Sequence, residues 1–187
     1  MYFLQPSQKR LLSSLNPVFF VAFVFFLVIV RTAAEPLMPT LLRQWDVLLP
    51  FMVYFGQRRS LPEGLILALF TSHVYSLCST APIGVFTSHY LALFGVARLL
   101  SYVIYANTWF SILLLMLSLS VLSRVTLTLV STFFGHGWPL FAPSNFMWWS
   151  LLLNAGLGYL VYAWLEQLDR VTYKAPRTTI ELSDTGL

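Results

Sequence analysis

The sequence predicts an all-α integral membrane protein, folded as a compact bundle of about six transmembrane helices. Composition is the first observation that predicts this class: the 187 residues are 58% hydrophobic and 10% charged, and the mean hydropathy is +0.75. A soluble domain carries roughly 25% charged residues, and a soluble fold of this size could not hide so much apolar surface in one core. The second observation is that charged residues separate long uncharged runs, as loops separate membrane spans.

The basic residues give the chain a net charge of +4, but they stand singly or in pairs between the apolar runs. This distribution is typical of charges that orient a protein in a membrane, whereas a nucleic-acid-binding protein gathers them into a patch or stripe. The single cysteine, Cys78, excludes an intramolecular disulfide and a multi-cysteine metal site. Because Cys78 lies in an apolar run, we expect it to be a small packing residue.

The first two predicted spans differ in strength. The run 11–30 would form a helix of about 30 Å, the thickness of the hydrocarbon core, and we expect a retained helix rather than a signal peptide. The second span, near 41–56, is weaker because its uncharged part, 47–56, has only ten residues. Either this helix extends upstream past Asp46 or it enters the membrane partway. Pro50 is expected to kink it unless neighbouring groups satisfy the carbonyl that the proline leaves unpaired.

A charged turn follows, in which Ser60 and Glu63 predict a capping box at the start of the next helix. The next 34 residues, 64–97, carry no charge and would make a single helix of about 51 Å, which is longer than a bilayer is thick. The stretch must therefore break, and Pro82–Gly84 holds its only pair of helix-breaking residues. The break divides the stretch into predicted spans near 64–79 and 85–102.

The last two predicted spans lie near 108–134 and 146–165, and the second of them starts with an interfacial pair of tryptophans. All six spans form one transmembrane domain over 1–170. The residues after it, 171–187, are predicted to be a polar cytoplasmic tail.

Six spans place both termini on the same side of the membrane. That side also carries most of the basic residues, whereas the opposite loops offer only Arg31 and Arg43. The positive-inside rule therefore predicts that both termini are cytoplasmic. The basic residues on the predicted cytoplasmic side are Lys9, Arg10, Arg58, Arg59, Arg98, Arg170, Lys174 and Arg177.

No catalytic, cofactor-binding or metal-binding site is predicted. His73 and His89 lie on the two helices that the break joins. A metal or haem site there would need further ligands, and Cys78 is the one other candidate nearby in the sequence. The simpler interpretation is that each histidine bonds a neighbouring hydroxyl or carbonyl. An ion-coupled transporter usually carries intramembrane acids, and none occurs between Glu63 and Glu166. An intramembrane serine hydrolase is a third hypothesis, for which no serine–histidine dyad is evident.

Two further features of the predicted helices concern packing. Arg124 lies inside the fifth span, where insertion of an arginine costs roughly 2.5–3.5 kcal/mol. It either faces another helix or a partner protein, with Asp46 as the one candidate acid, or snorkels from a tilted helix. Small residues between Asn154 and Gly158 make the last span thin, which favours a close approach of another helix.

Residues 40–170 resemble the MreD family, the small multispanning subunits of the bacterial rod-shape machinery. In that family an aspartate opens the second span, followed by an apolar run with proline, a glycine and a basic turn. The counterparts here are Asp46, Pro50, Gly56 and the pair Arg58-Arg59.

A second family motif follows the third span and has the form Asp-Leu-x-Ser-Gly-x-x-Leu-Gly. Ser79, Pro82 and Gly84 fit this pattern, whereas Ser76 replaces the acid and Thr80 replaces the glycine. Similar segments also surround Arg98, Asn154 and Asp169.

The resemblance implies a non-enzymatic scaffold of the bacterial inner membrane that serves cell shape and peptidoglycan elongation. Its partner would be the bitopic protein MreC and, through the assembly, MreB, RodA and a class B penicillin-binding transpeptidase. The family has also been likened to the S-components of vitamin transporters, an analogy of fold alone. The residues expected to bind partners or to pack helices are Asp46, Pro50, Gly56, Pro82, Gly84, Arg124, Asn154 and Gly158.

A rival hypothesis is an S-component-like membrane module that binds a small molecule for a transporter. Its ligand would lie in a cavity near the Pro82–Gly84 break and the thin stretch at Asn154–Gly158. This hypothesis predicts a bound ligand and dependence on an ATP-driven module, whereas the scaffold hypothesis predicts a bitopic partner.

Overall fold

The computed structural model describes residues 6–38, 45–79, 81–104, 108–135 and 148–174. Within these ranges the regular elements are all helices, with no strand, which confirms the all-α prediction. A short 3-10 turn, Glu35–Leu37, follows the first helix. The six helices are α1 (Pro6–Ala34), α2 (Leu49–Arg58), α3 (Leu61–Leu77), α4 (Val85–Leu100), α5 (Trp109–Phe133) and α6 (Trp148–Val171).

Two segments of the described chain are long and apolar enough to cross a membrane. They are Ser7–Leu37, with 31 residues, and Trp109–Phe133, with 25 residues. A third apolar helix, Val85–Leu100, is shorter. By length and composition, therefore, α1 and α5 could each span a bilayer.

The first and last helices, α1 and α6, are longer than predicted. The first predicted span, 11–30, gains about a turn at each end. The sixth, predicted near 146–165, continues to Val171 because its inward face still carries buried residues, Leu165 and Asp169. Most of the predicted tail lies outside the described residues.

The second predicted span is shorter than expected, and the structure decides between the alternatives for it. Trp45 and Asp46 are not helical, so the helix does not extend upstream past them. The ten residues of α2 measure about 15 Å. Pro50 lies in the first turn, where its missing N–H breaks no helical hydrogen bond, so the predicted kink is wrong.

Helix α2 is the centre of the bundle although it is the shortest helix. Its residues from Leu49 to Gln57 are all buried, which is possible because α3, α4, α5 and α6 pack around it. The core that they form is rich in aromatic side chains, among them Phe20, Phe51 and Phe55. A helix that is apolar all round is expected to lie inside a bundle in this way.

The predicted break between the third and fourth spans is confirmed. Helix α3 ends at Leu77 and α4 begins at Val85, after Gly84 with a φ of 100°. That left-handed conformation suits glycine because it has no Cβ. The backbone N–H of Gly84 also donates to Ser76 Oγ at 3.3 Å, which ties the turn to the end of α3.

The predicted capping box at the start of α3 does not form. Ser60 makes no side-chain cap, and Glu63 binds two cations instead. Its Oε1 lies 3.1 Å from Lys174 Nζ and 3.7 Å from Arg59 Nη1. The acid therefore connects α3 to the end of α6 rather than closing its own helix.

The bundle presents an apolar surface to its surroundings, most of all along α1. Such an extended apolar face is typical of a surface that meets lipid or another apolar helix. The exposed large apolar residues of α1 include Leu11, Val18, Phe19, Phe25, Phe26 and Ile29.

Candidate functional site

Buried polar side chains gather at both ends of α2. The Asp46 cluster, at the N-terminal end, consists of Asp46, His89, Tyr90, Ser123, Thr126 and Asn154. The Arg59 cluster, at the C-terminal end, consists of Asn16, Tyr54, Arg59, Asp169 and Thr172.

The carboxylate of Asp46 organises the first cluster. Its Oδ1 accepts from the backbone N–H groups of Leu48 and Leu49, each at 3.2 Å, and from Tyr90 Oη at 2.8 Å. Its Oδ2 accepts from Ser123 Oγ at 3.2 Å. An acid at this position satisfies N–H groups that a helix start leaves unpaired, and it complements the positive end of the helix dipole.

The remaining members connect Asp46 to α4, α5 and α6. The backbone N–H of Asp46 donates to Asn154 Oδ1 at 2.8 Å. His89 is buried, with Nε2 at 3.3 Å from Ser123 Oγ and Nδ1 at 2.9 Å from Thr126 Oγ1. The interpretation that His89 bonds neighbouring hydroxyls is confirmed. His73 is exposed and takes no part in this cluster.

The order of contacts in this cluster differs from that of a catalytic triad. In a triad the acid holds the histidine, which removes the proton of the serine. Here the acid accepts from Ser123 itself, and Thr126 occupies the other histidine nitrogen. When Ser123 donates to Asp46, Nε2 of His89 must carry a proton and donate to Ser123, so it does not act as the base. The cluster therefore joins α2, α4, α5 and α6.

The second cluster encloses a fully buried ion pair. The guanidinium of Arg59 is 1% exposed, and its Nη2 donates to Asp169 Oδ1 at 2.5 Å and to Asn16 Oδ1 at 2.8 Å. Asn16 Nδ2 donates to the same carboxylate oxygen at 2.8 Å, and Tyr54 Oη donates to Asp169 Oδ2 at 2.5 Å. The guanidinium carbon also lies 4.8 Å from the centre of the Phe20 ring.

Local sequence does not predict this cluster, because both charges stand at the ends of apolar runs. Arg59 belongs to the basic residues of the predicted cytoplasmic side, and Asp169 lies at the end of the predicted transmembrane domain, 1–170. The available signal was Asn16, an amide inside the first apolar span, which needs a polar partner when it is buried. Arg58, the neighbour of Arg59, pairs instead with Glu166 and Tyr162.

Arg98 supports the C-terminal end of α2 from a neighbouring helix. Its Nη1 donates to the carbonyl oxygens of Gly56 at 3.2 Å and of Arg59 at 2.7 Å. A cation there satisfies carbonyls that the helix end leaves unpaired. The close approach depends on Gly56, because an added Cβ would lie 2.9 Å from the Cβ of Ala97.

Five of the eight predicted site residues converge on α2. Pro50 and Gly56 belong to α2, and Asp46 accepts from the N–H groups at its start. Asn154 and Gly158 contact this region from α6. A Cβ added at Gly158 would lie 3.2 Å from Met116 Sδ and 3.5 Å from Pro50 Cγ. The expected close approach at this thin stretch is therefore confirmed.

The other three predicted residues lie apart from α2. Pro82 and Gly84 form the break. Arg124 is half-buried and donates from Nη2 to Ser150 Oγ at a long 3.4 Å, which joins α5 to α6. Among the ion pairs of the described residues, none joins Arg124 to Asp46.

A cavity of about 820 Å³ opens beside the break, where the ends of α1 and α3 meet the start of α4. Cys78 lines it and is exposed, so the expectation of a packing residue is wrong. Arg31 donates to the hydroxyl of Tyr75 on its wall. The other lining residues are Val28, Thr32, Glu35, Ser79, Ala81, Pro82, Ile83, Val85, Phe86, Leu127 and Ser131.

Comparisons of the chain with protein families, with curated proteins and with solved structures find no match. The resemblance to MreD therefore rests on the short motifs that carry it.

Proposed function

We propose that this protein is a multispanning scaffold of the bacterial inner membrane, an MreD-like subunit of the machinery for cell shape and peptidoglycan elongation. In this proposal the six helices form one bundle in the bilayer with both termini in the cytoplasm. The bundle binds a bitopic MreC-like protein and, through it, MreB, RodA and a class B penicillin-binding transpeptidase.

The observation that carries the proposal is that the polar side chains of the two clusters face the interior of the bundle, around α2. The acid, proline and glycine of the family-like motif, Asp46, Pro50 and Gly56, all serve to seat α2 in the centre of the bundle. The buried polar side chains of both clusters bind one another and the backbone, whereas the outward faces are apolar. Such a bundle offers apolar surface to a partner helix.

The ends of the first and last helices support the proposed orientation. Lys9 Nζ lies 5.2 Å from the centre of the Tyr173 ring, and Asn16 contacts Asp169. The start of α1 and the end of α6 therefore lie together, as an even number of spans requires. The same end carries Arg58, one of the basic residues of the predicted cytoplasmic side.

Depletion and complementation test the scaffold. Depleted cells are expected to change from rods to spheres, and wild-type protein purified from native membranes is expected to bring down a bitopic partner. The Asp46→Ala variant should restore rod shape less well than Ser118→Ala, a matched control at an exposed serine. Depleted cells that keep their shape and their pattern of wall synthesis would refute the proposal.

The small-molecule module is the second candidate, and the cavity beside the break favours it. Its volume of about 820 Å³ lies within the range of roughly 300–1,000 Å³ that small-molecule sites occupy. The other predicted ligand position, at Asn154–Gly158, is filled by Met116 and Pro50. This candidate would be favoured over the scaffold if the protein depended on an ATP-driven transporter module for its function and if cells depleted of the protein kept their rod shape.

A further inference from the structure

The cavity beside the break carries charges of both signs on one wall. Arg31 lies in the last turn of α1, and Glu35 lies one helical turn further along, in the 3-10 turn. Both line the cavity. Tyr75 holds the guanidinium in place, because its hydroxyl accepts from Arg31 and its ring centre lies 5.9 Å from the guanidinium carbon.

Apolar side chains line the same cavity. Ile83 from the break, Phe86 from α4 and Leu127 from α5 contribute to it. Ile83 is 71% exposed, so the apolar lining includes a side chain at the outer surface of the bundle. The cavity thus has a charged region and an apolar region, which suits an amphipathic molecule better than a wholly polar one.

The position of the cavity along α1 matches the depth of lipid headgroups. The apolar segment Ser7–Leu37 has 31 residues and measures about 46 Å as a helix, close to the roughly 40–45 Å of a bilayer with its headgroups. Arg31 and Glu35 lie near one end of this segment. If α1 crosses the membrane, these two charges therefore meet headgroups rather than acyl chains.

We propose that this cavity binds a phospholipid with a zwitterionic phosphoethanolamine headgroup. The phosphate lies against the guanidinium of Arg31, which matches phosphate oxygens with paired donors. The ammonium lies against the carboxylate of Glu35, and the upper acyl chains lie along Ile83, Phe86 and Leu127. An anionic lipid without an ammonium satisfies only Arg31 and is repelled by Glu35. This site goes beyond the scaffold proposal and does not depend on a bitopic partner.

Native mass spectrometry of the full chain in detergent tests the headgroup. Phosphatidylethanolamine and phosphatidylglycerol with the same acyl chains are added in equal amounts, and we expect more phosphatidylethanolamine adduct. Arg31→Gln should weaken binding of both lipids about tenfold, because it removes a charge-assisted contact. Glu35→Gln should abolish the preference for phosphatidylethanolamine. Arg10→Gln, a matched control at the other end of α1, should behave as wild type.

Equal binding of the two lipids by the wild-type protein would overturn the proposal. So would an unchanged preference in Glu35→Gln when that variant elutes as a monodisperse peak. Binding losses in Arg10→Gln equal to those in Arg31→Gln would assign the effect to nonspecific charge and would also overturn it.

Cys78 provides a second measurement that needs no substitution, since it lines the cavity and is the only cysteine in the chain. Its reaction with a maleimide should be slower in nanodiscs of phosphatidylethanolamine than in nanodiscs of phosphatidylglycerol. In detergent, soluble O-phosphoethanolamine should give no protection. Protection by that soluble compound alone would overturn the lipid assignment and identify a water-soluble ligand, as the small-molecule module requires. Equal rates in the two nanodiscs would also refute the proposal.

Discussion

Arg59 shows how a charge is kept inside this bundle. Removal of a guanidinium and a carboxylate from water is expensive, and their attraction repays it only when the other donors and acceptors are also satisfied. Asp169 meets that condition, because it accepts from Arg59, Asn16 and Tyr54. Arg59 meets it only in part, because Nη2 donates to Asp169 and Asn16 whereas Nε and Nη1 are buried without a hydrogen-bond partner among the described residues. The pair therefore joins three helices, and each helix depends on the other two.

The buried pair predicts an asymmetry between single and double substitutions. Asp169→Ala should lower the free energy of unfolding by about 3–5 kcal/mol, because buried Arg59 then loses the carboxylate that it hydrogen-bonds and keeps only Glu63, 3.7 Å away. The double variant with Arg59→Met and Asp169→Leu should be more stable than Asp169→Ala, since it buries no charge. Unfolding in increasing sodium dodecyl sulfate, followed by circular dichroism, measures the difference.

Arg170→Gln is the control for this experiment, because Arg170 neighbours Asp169 but is exposed. It should unfold like the wild-type protein. If Asp169→Ala matched this control, the ion pair would not hold the helices together. If the double variant were the least stable of the three, side-chain packing rather than charge would dominate at this site.

At the residue scale, the sequence predicts packing better than pairing. The close approach at Gly158 and the left-handed turn at Gly84 follow from the small size of glycine, which local sequence displays. The partner of Arg59 is more than a hundred residues away, and nothing in the local pattern identifies it. Ser123 and Asp46 are 77 residues apart, and no local pattern identifies their contact either.

Among the helices, α2 is central although it is short, and charged side chains bind both of its ends. It is too short to cross the hydrocarbon core, yet each end is held by a side chain of the charge that its dipole favours. Asp46 accepts from N–H groups at the start, and Arg98 donates to carbonyls at the end. Sequence length indicated a weak span, but it could not reveal that other helices cover this one on all sides.

Gly56 sets the distance between α2 and α4, so its substitution tests this packing. In Gly56→Ala the new Cβ would lie 2.9 Å from Ala97 Cβ and 3.0 Å from the backbone of Arg98. The helices must separate, which should destabilise the protein by roughly 1–3 kcal/mol and weaken the contacts of Arg98. The same detergent unfolding assay measures this change.

Gly156 provides a matched control on α6, because no atom lies within 4 Å of a Cβ added there. Gly156→Ala should leave stability unchanged or raise it by up to about 1 kcal/mol, since alanine favours a helix interior. Equal destabilisation by the two substitutions would mean that loss of helix flexibility, rather than contact with Ala97, is responsible.

In the molecule as a whole, the polar clusters lie inside the bundle and apolar side chains cover much of its exterior. The two clusters are separated by the roughly 15 Å of α2, so both fit within the roughly 30 Å of a hydrocarbon core. Composition and the long uncharged runs together predict the helical membrane class. The number of helices that cross the bilayer is a property of the assembled bundle, because a short helix such as α2 can lie within the membrane while its neighbours span it.

Cysteine accessibility tests whether α1 crosses the membrane and whether α6 ends on the side where α1 begins. Single cysteines are introduced by Arg10→Cys, Leu37→Cys and Arg170→Cys in a Cys78→Ser background. All three positions are exposed, and Leu37 is 88% exposed. In right-side-out membrane vesicles, a membrane-impermeant maleimide should label only the Leu37→Cys protein. The other two proteins should be labelled after the vesicles are opened with detergent.

The physical reason is that Arg10 and Leu37 lie at opposite ends of an apolar segment of 31 residues, whereas Arg10 and Arg170 lie at the ends of helices that meet through Lys9 and Tyr173. Equal labelling of Arg10→Cys and Leu37→Cys in sealed vesicles would show that α1 does not cross the bilayer. Labelling of both Leu37→Cys and Arg170→Cys in sealed vesicles, without labelling of Arg10→Cys, would require an odd number of crossings from α1 to α6. Either outcome would also remove the orientation on which the scaffold proposal depends, because the partner would then meet a different face of the bundle.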